Sequence, residues 1–125
     1  MSSSGRILVL GSREFRSYPQ FDKTLRSVFQ EIGRPRVLIS GQYVGTDSMT
    51  EVWSIINNVP YRLEGPDVDR FGAKAEDVFV QDVLSTCNGV IAFPMISSDN
   101  VWNMLDHAHS LSMQDIFVYP VERRQ

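Results

Sequence analysis

The side chains with the means to do chemistry gather in three stretches of the 125-residue chain, 11–16, 40–47 and 94–101. The first reads Gly11-Ser12-Arg13-Glu14, the second Ser40-Gly41-Gln42-Tyr43-Val44-Gly45-Thr46-Asp47, and the third runs from Pro94 to Asn100-Val101. Each follows a short aliphatic run and leads into a helical pattern. Glycine at such a place lets backbone N–H groups approach a phosphate, and the helix N-terminus beyond adds a favourable dipole. Tight turns need glycine for their own sake, so this signal does not stand alone. No stretch has the three-glycine dinucleotide pattern or the Gly-Lys-Ser/Thr phosphate-loop ending, which argues against a standard NAD or ATP site.

Within these stretches Arg13 has the strongest claim to a role, because a strand-end loop over a sheet is a costly place for an idle guanidinium; a surface ion pair with Glu14 or Asp47 is the alternative. Acid-base catalysis would have to draw on Glu14, Asp47 or Glu76. Asp47 reads equally well as a helix cap, and Glu76 as a solvated first-turn acid. Tyr43 and Phe71 lie in loops where an aromatic ring could cover a purine face or simply pack. His107 and His109 are two apart in a helical pattern, point to different sides and read as solvated rather than metal-binding. Trp53 and Trp102 read as core. Cys87 is the only cysteine, which excludes an intramolecular disulfide and a thiolate zinc cluster within one chain. No metal and no cofactor are expected.

These loops need elements to hold them. Arg6-Ile7-Leu8-Val9-Leu10, Arg36-Val37-Leu38-Ile39, Gly89-Val90-Ile91-Ala92-Phe93 and Ile116-Phe117-Val118-Tyr119 are aliphatic runs typical of buried strands, and residues 61–64 form a shorter one. Tyr18, Phe21, Leu25, Val28, Phe29 and Ile32 mark one helical face, opened near Pro19 and closed by Gly33. After Asp47 a second helix is predicted, carrying Met49, Val52, Trp53 and Ile56, and 73–84 a third, after a loop over 65–72. A last helix carries Val101, Met104, Leu105, Ala108 and Leu111 on one face. Strand and helix alternate throughout, which predicts an α/β fold: a single Rossmann-like domain over 1–125, a mainly parallel sheet of about five strands, and helices on both faces.

Composition narrows the function classes. Hydrophobic residues make up 42% and charged residues 22%, the balance of an ordinary globular chain. Fifteen acidic residues outnumber twelve basic ones, and Arg123-Arg124 is the only basic run, so binding along a nucleic-acid backbone is not expected. No apolar stretch reaches the length of a membrane span or the core of a signal peptide, so a cytoplasmic protein without membrane contact is expected.

Four segments together resemble the SLOG superfamily of Rossmann-like nucleotide-binding domains, in its small YspA/YpsA-like branch. Ile7-Leu8-Val9-Leu10-Gly11-Ser12-Arg13-Glu14-Phe15 looks like the opening strand and Gly-Ser-Arg loop of that branch. Ser40-Gly41 with Gly45-Thr46-Asp47 matches the outline of its second glycine motif. Pro66-Asp67-Val68-Asp69-Arg70-Phe71-Gly72 is similar to its Asp-Trp-x-x-Tyr-Gly segment, and Ala92-Phe93-Pro94 to its last strand end. The chain departs from the pattern at Gln42, Tyr43 and Val44, where the family has Gly, Ala and Arg. It departs again at Glu76, Phe79 and Val80, and at Asn100-Val101, where the family has Gly-Thr. Related phosphoribohydrolases carry a Pro-Gly-Gly-x-Gly-Thr motif that this chain lacks.

The resemblance implies a nucleotide-derived ligand, favoured as ADP-ribose type. It would be held by Gly11, Ser12, Arg13, Gly41, Gln42, Tyr43, Gly45, Thr46, Asp47, Phe71, Pro94 and Asn100. Because the fold segments persist while the family's polar positions do not, binding without turnover is the leading expectation, as in a phage protein that sequesters an antiphage signal. The rivals are a nucleotide N-glycosidase or phosphoribohydrolase using Asp47 and Glu76, and a protein-interaction module with a vestigial pocket. A homodimer or a larger symmetric homo-oligomer is expected.

Overall fold

A strand as apolar as Arg6-Ile7-Leu8-Val9-Leu10 has no polar side to turn to water, so it must be covered on both faces and paired on both edges. The computed structural model, which describes residues 5–11, 15–40, 46–65, 68–93, 99–111, 113 and 115–118, meets both demands. Strand β1 (Gly5–Gly11) is the centre of a five-stranded sheet of order β3-β2-β1-β4-β5, with β2 (Pro35–Ser40), β3 (Tyr61–Leu63), β4 (Gly89–Phe93) and β5 (Asp115–Val118). Every pairing is parallel. In the register Leu8 lies beside Ile39 and Val90, and Gly11 beside Phe93. At the opposite end the seam between β1 and β4 is latched by Asn88: Arg6 N–H donates to Asn88 Oδ1 at 2.8 Å and Asn88 N–H to Arg6 O at 2.7 Å.

Alternation along the strands divides the core. Ile7, Val9, Leu38, Ile91 and Phe93 face helices α1 (Tyr18–Ile32) and α2 (Asp47–Ile56). Leu8, Leu10, Val37, Ile39, Val90 and Ala92 face α4 (Ala75–Thr86) and α5 (Asp99–Ser110). The result is a Rossmann-like α/β domain with helices on both faces of an all-parallel sheet.

Helix α1 forms as its pattern predicts. Ser17 Oγ accepts from Gln20 N–H at 3.5 Å, Pro19 fits the first turn, and Gly33 ends the helix at φ 97°, where its N–H donates to Phe29 O. Phe21, Leu25 and Val28 are buried. On its flank the Asp22 carboxylate accepts from Trp53 Nε1 and from Arg26 Nε, both at 2.9 Å, and Phe29 packs on the Trp53 ring at 5.7 Å.

Several expectations need correction. The second helix forms where expected, but its apolar residues divide: Trp53 is buried and Met49 packs partly on the core, while Val52 is 46% and Ile56 64% exposed, and the buried face of α2 is Thr50, Trp53 and Ser54. Trp53 is anchored to α1 through Asp22 and Phe29, and this fixes the roll of α2 so that its small hydroxylated residues meet the sheet. The loop expected over 65–72 contains a short helix α3 (Val68–Phe71), followed by a 3₁₀ turn (Gly72–Lys74) with Gly72 at φ 56°. Helix α5 stops at Ser110, so Leu111 leaves the stripe and is 48% exposed. Met104, Leu105, Ala108 and Trp102 are buried. Strand β5 runs from Asp115 to Val118, and Tyr119 lies outside the described residues.

Candidate functional site

The chain leaves β1 toward β2 on one side and enters β4 on the other, so strand order reverses between β1 and β4. Loops leaving the carboxyl ends of two such strands diverge and open a crevice, the usual ligand position in open parallel sheets. Here the two strand ends meet at the Gly11–Phe93 pair, and residues 12–14 and 94–98 that follow them lie outside the described residues. The α1 side of that pair is aromatic: Phe93 is fully buried, with the Phe15 ring at 4.8 Å and Phe21 at 5.0 Å.

Gly11 is fixed by what crosses over it. A Cβ at this position would run into the Thr46 methyl group and stand 2.7 Å from Thr46 Oγ1, so only glycine allows the start of α2 to lie directly on the end of β1. Thr46 is fully buried at the N-cap of α2, with a helical backbone (φ −99°, ψ −14°) that turns its hydroxyl away from the usual capping bond. Its carbonyl accepts from both Thr50 N–H at 2.8 Å and Thr50 Oγ1 at 2.7 Å. Thr46 Oγ1 itself is buried and has no hydrogen-bond partner among the described residues. A buried hydroxyl left in that condition costs about 1–3 kcal/mol.

The cap expected at Asp47 thus belongs one residue earlier. Asp47 opens the first turn of α2, half-buried, where its charge complements the helix dipole. It also bears on the edge strand: burial pushes the Tyr61 phenol up, the nearby Ser40 hydroxyl works the other way, and the charges of Asp47 and Glu51 raise it further. Ser40, Thr46, Thr50 and Ser54 are the buried polar residues among those described, and all stand at the end of β2 or along the inner side of α2. Thr50 and Ser54 were not legible as site neighbours, though the spacing 46, 50, 54 along one helical face was the available signal.

Of the expected ligand residues, the structure therefore brings Gly11, Thr46 and Asp47 together. Phe71 is elsewhere. It lines a cleft of about 320 Å³ with Glu64, Phe79 and Asp82, on the α4 face, and Gly11, Thr46 and Asp47 are not in its wall; the Arg70 guanidinium lies 5.0 Å from the Phe71 ring centre. Ser12, Arg13, Gly41, Gln42, Tyr43, Gly45 and Pro94 lie outside the described residues, as do the side chains of Glu76, second residue of α4, and Asn100, second residue of α5. His107 is half-buried and His109 exposed. Among the described residues no cluster of His, Cys, Asp or Glu could hold a metal ion, and no helix is long and apolar enough to cross a membrane. Burial pushes the Cys87 thiol up to about 11, with the nearby Arg6 charge opposing, which leaves it protonated and poorly nucleophilic at neutral pH.

No protein-family model, curated protein or solved structure matches the chain. What the fold defines is a class, the doubly wound α/β domain, with strand order reversing between β1 and β4.

Proposed function

We propose that the chain binds a nucleotide-derived small molecule of ADP-ribose type in the β1–β4 crevice and holds it without turnover. The observation that carries this reading is the Gly11–Thr46 contact: backbone meets helix N-terminus at the strand-order reversal, with a fully buried hydroxyl there that no described residue satisfies. A phosphate or ribose oxygen is a suitable partner for that hydroxyl, and the dipole of α2 favours an anion beside it. Arg13, in the loop leaving β1, is the expected phosphate cation. Binding is favoured over hydrolysis because the fold segments persist while the polar positions of the family it resembles do not, with Gln42, Tyr43 and Val44 in the second glycine motif and Asn100-Val101 in the last. Tight retention of such a ligand fits sequestration of a nucleotide signal, as by a phage protein acting against host defence.

Mass spectrometry of small molecules released by heating the purified protein tests this directly. ADP-ribose and its cyclic isomers, mixed with excess protein, should leave the free pool and return intact on heating, and Arg13→Ala should abolish the uptake. Free base or ribose phosphate in more than one equivalent per chain hands the site to a hydrolase. Failure to retain any of these nucleotides overturns the reading.

A further inference from the structure

Helix α2 is turned inside out. Its inner face carries Thr50 and Ser54 beside Trp53, while Ile55 at 74%, Ile56 at 64% and Val52 at 46% exposure point to solvent. Leu63 of the edge strand β3, on the same side of the sheet, is 56% exposed. Isolated apolar side chains at a surface need no explanation, but four of this size on one helix and its neighbouring strand do. They expose on the order of 400 Å² of apolar side chain, most of the roughly 500 Å² that the apolar share of a standard homodimer face of about 800 Å² per copy represents.

The charges around the patch have a direction. Glu51, exposed, and Asp47 occupy the N-terminal half of α2. The C-terminal end carries Arg34, also exposed, whose Nη2 donates to Asn57 O at 2.8 Å and Asn58 O at 2.6 Å. Two copies of α2 packed parallel would set acid beside acid. Packed antiparallel about a two-fold axis near Ile55, each copy's Glu51 approaches the other's Arg34, and the helix dipoles oppose. We infer that the α2–β3 face is the contact surface of a two-fold symmetric homodimer, with antiparallel α2 helices and Val52, Ile55 and Ile56 at its centre. This pairing is independent of what the crevice binds.

Sedimentation velocity from 1 to 100 µM tests it on the full chain. The wild type should sediment as twice its 14.2 kDa mass, and Ile55→Glu should be monomeric at every concentration with an unchanged circular dichroism spectrum and a melting temperature lowered only by the lost association. Glu51→Arg and Arg34→Glu should each weaken the dimer at least tenfold, and the double exchange should restore most of it at low salt. A monomeric wild type overturns the proposal and leaves this face to a different protein. A dimer indifferent to Ile55→Glu, or single charge reversals that the double exchange does not rescue, overturns the surface or its antiparallel sense.

Discussion

Replacing Thr46 by valine separates what the crevice costs the fold from what it offers a ligand. The side chain is fully buried, its Oγ1 has no partner among the described residues, and valine keeps the methyl that packs on Gly11. Removing an unsatisfied buried hydroxyl without opening a cavity should stabilise the protein by about 1 kcal/mol or more, a rise of roughly 4 °C in Tm for a chain of this size. Thr50→Val is the control. That hydroxyl does have a partner, the Thr46 carbonyl at 2.7 Å, so its loss should destabilise by about 0.5–1.5 kcal/mol. The two substitutions are chemically identical and one helical turn apart, yet the predicted signs are opposite. Urea denaturation followed by tryptophan fluorescence measures both. The same Thr46→Val protein should bind ADP-ribose about tenfold more weakly by calorimetry, the loss of one hydrogen bond near 1.4 kcal/mol. A Thr46→Val protein less stable than wild type would refute the argument, because its hydroxyl would then be satisfied within the chain. A stabilised variant with unchanged affinity would leave the fold argument intact and remove Thr46 from the site.

Gly11→Ala should destabilise by about 1–3 kcal/mol and impair ligand uptake, since its Cβ must displace a fully buried Thr46, and chemical denaturation of the variant checks this. Cys87 should resist thiol reagents at pH 8 in the folded state and react rapidly in urea. Because its folded pKa of about 11 exceeds the ordinary value of 9.0, its contribution to stability is complete below pH 9 and is lost as pH rises through 11. The fall should be on the order of 2 kcal/mol, and it should be smaller in Cys87→Ala, where only groups such as Tyr18 and Tyr61 still titrate above their usual range. Asp22→Ala should cost about 1–3 kcal/mol by stripping the Trp53 indole N–H of its acceptor, whereas Arg26→Ala, which removes only a solvent-exposed ion pair, should leave the melting curve nearly unchanged; paired melting curves distinguish them.

Where one physical demand dominated a segment, the sequence was enough to place it. The run 89–93 is apolar at every position and became a fully buried strand with those bounds, and the spacing of Phe21, Leu25 and Val28 fixed the inner face of α1. In helix α2 the sequence places the element but not its roll. Hydrophobicity alone favours turning Val52 and Ile56 inward, but a helix lying against Gly11 and the end of β2 needs small residues there, and Trp53 settles the roll through Asp22. Leu111 departs from its stripe because α5 closes on it: its N–H still donates to His107 O at 3.2 Å, but the chain turns there and the side chain is left half exposed. At the site, glycine spacing pointed to Gly11 and Thr46 but not to each other. Their contact depends on the crossing of two elements more than thirty residues apart, which no local pattern encodes.

The position of β1 also sets an order of events. Its pairing with β2 closes over the single helix α1, whereas its other edge waits for β4, across the 82 residues that separate Arg6 from Asn88. Closing the longer loop costs more chain entropy, and until it happens Leu8, Leu10 and Ile39 have no α4 or α5 to cover them. A newly made N-terminal half therefore carries a greasy, half-built sheet with an open central edge, the kind of surface chaperones hold. The junction of β1 and β4 comes into being only when that edge is filled, so the ligand proposed to bind there would engage chains that have finished folding and pass over those that have not.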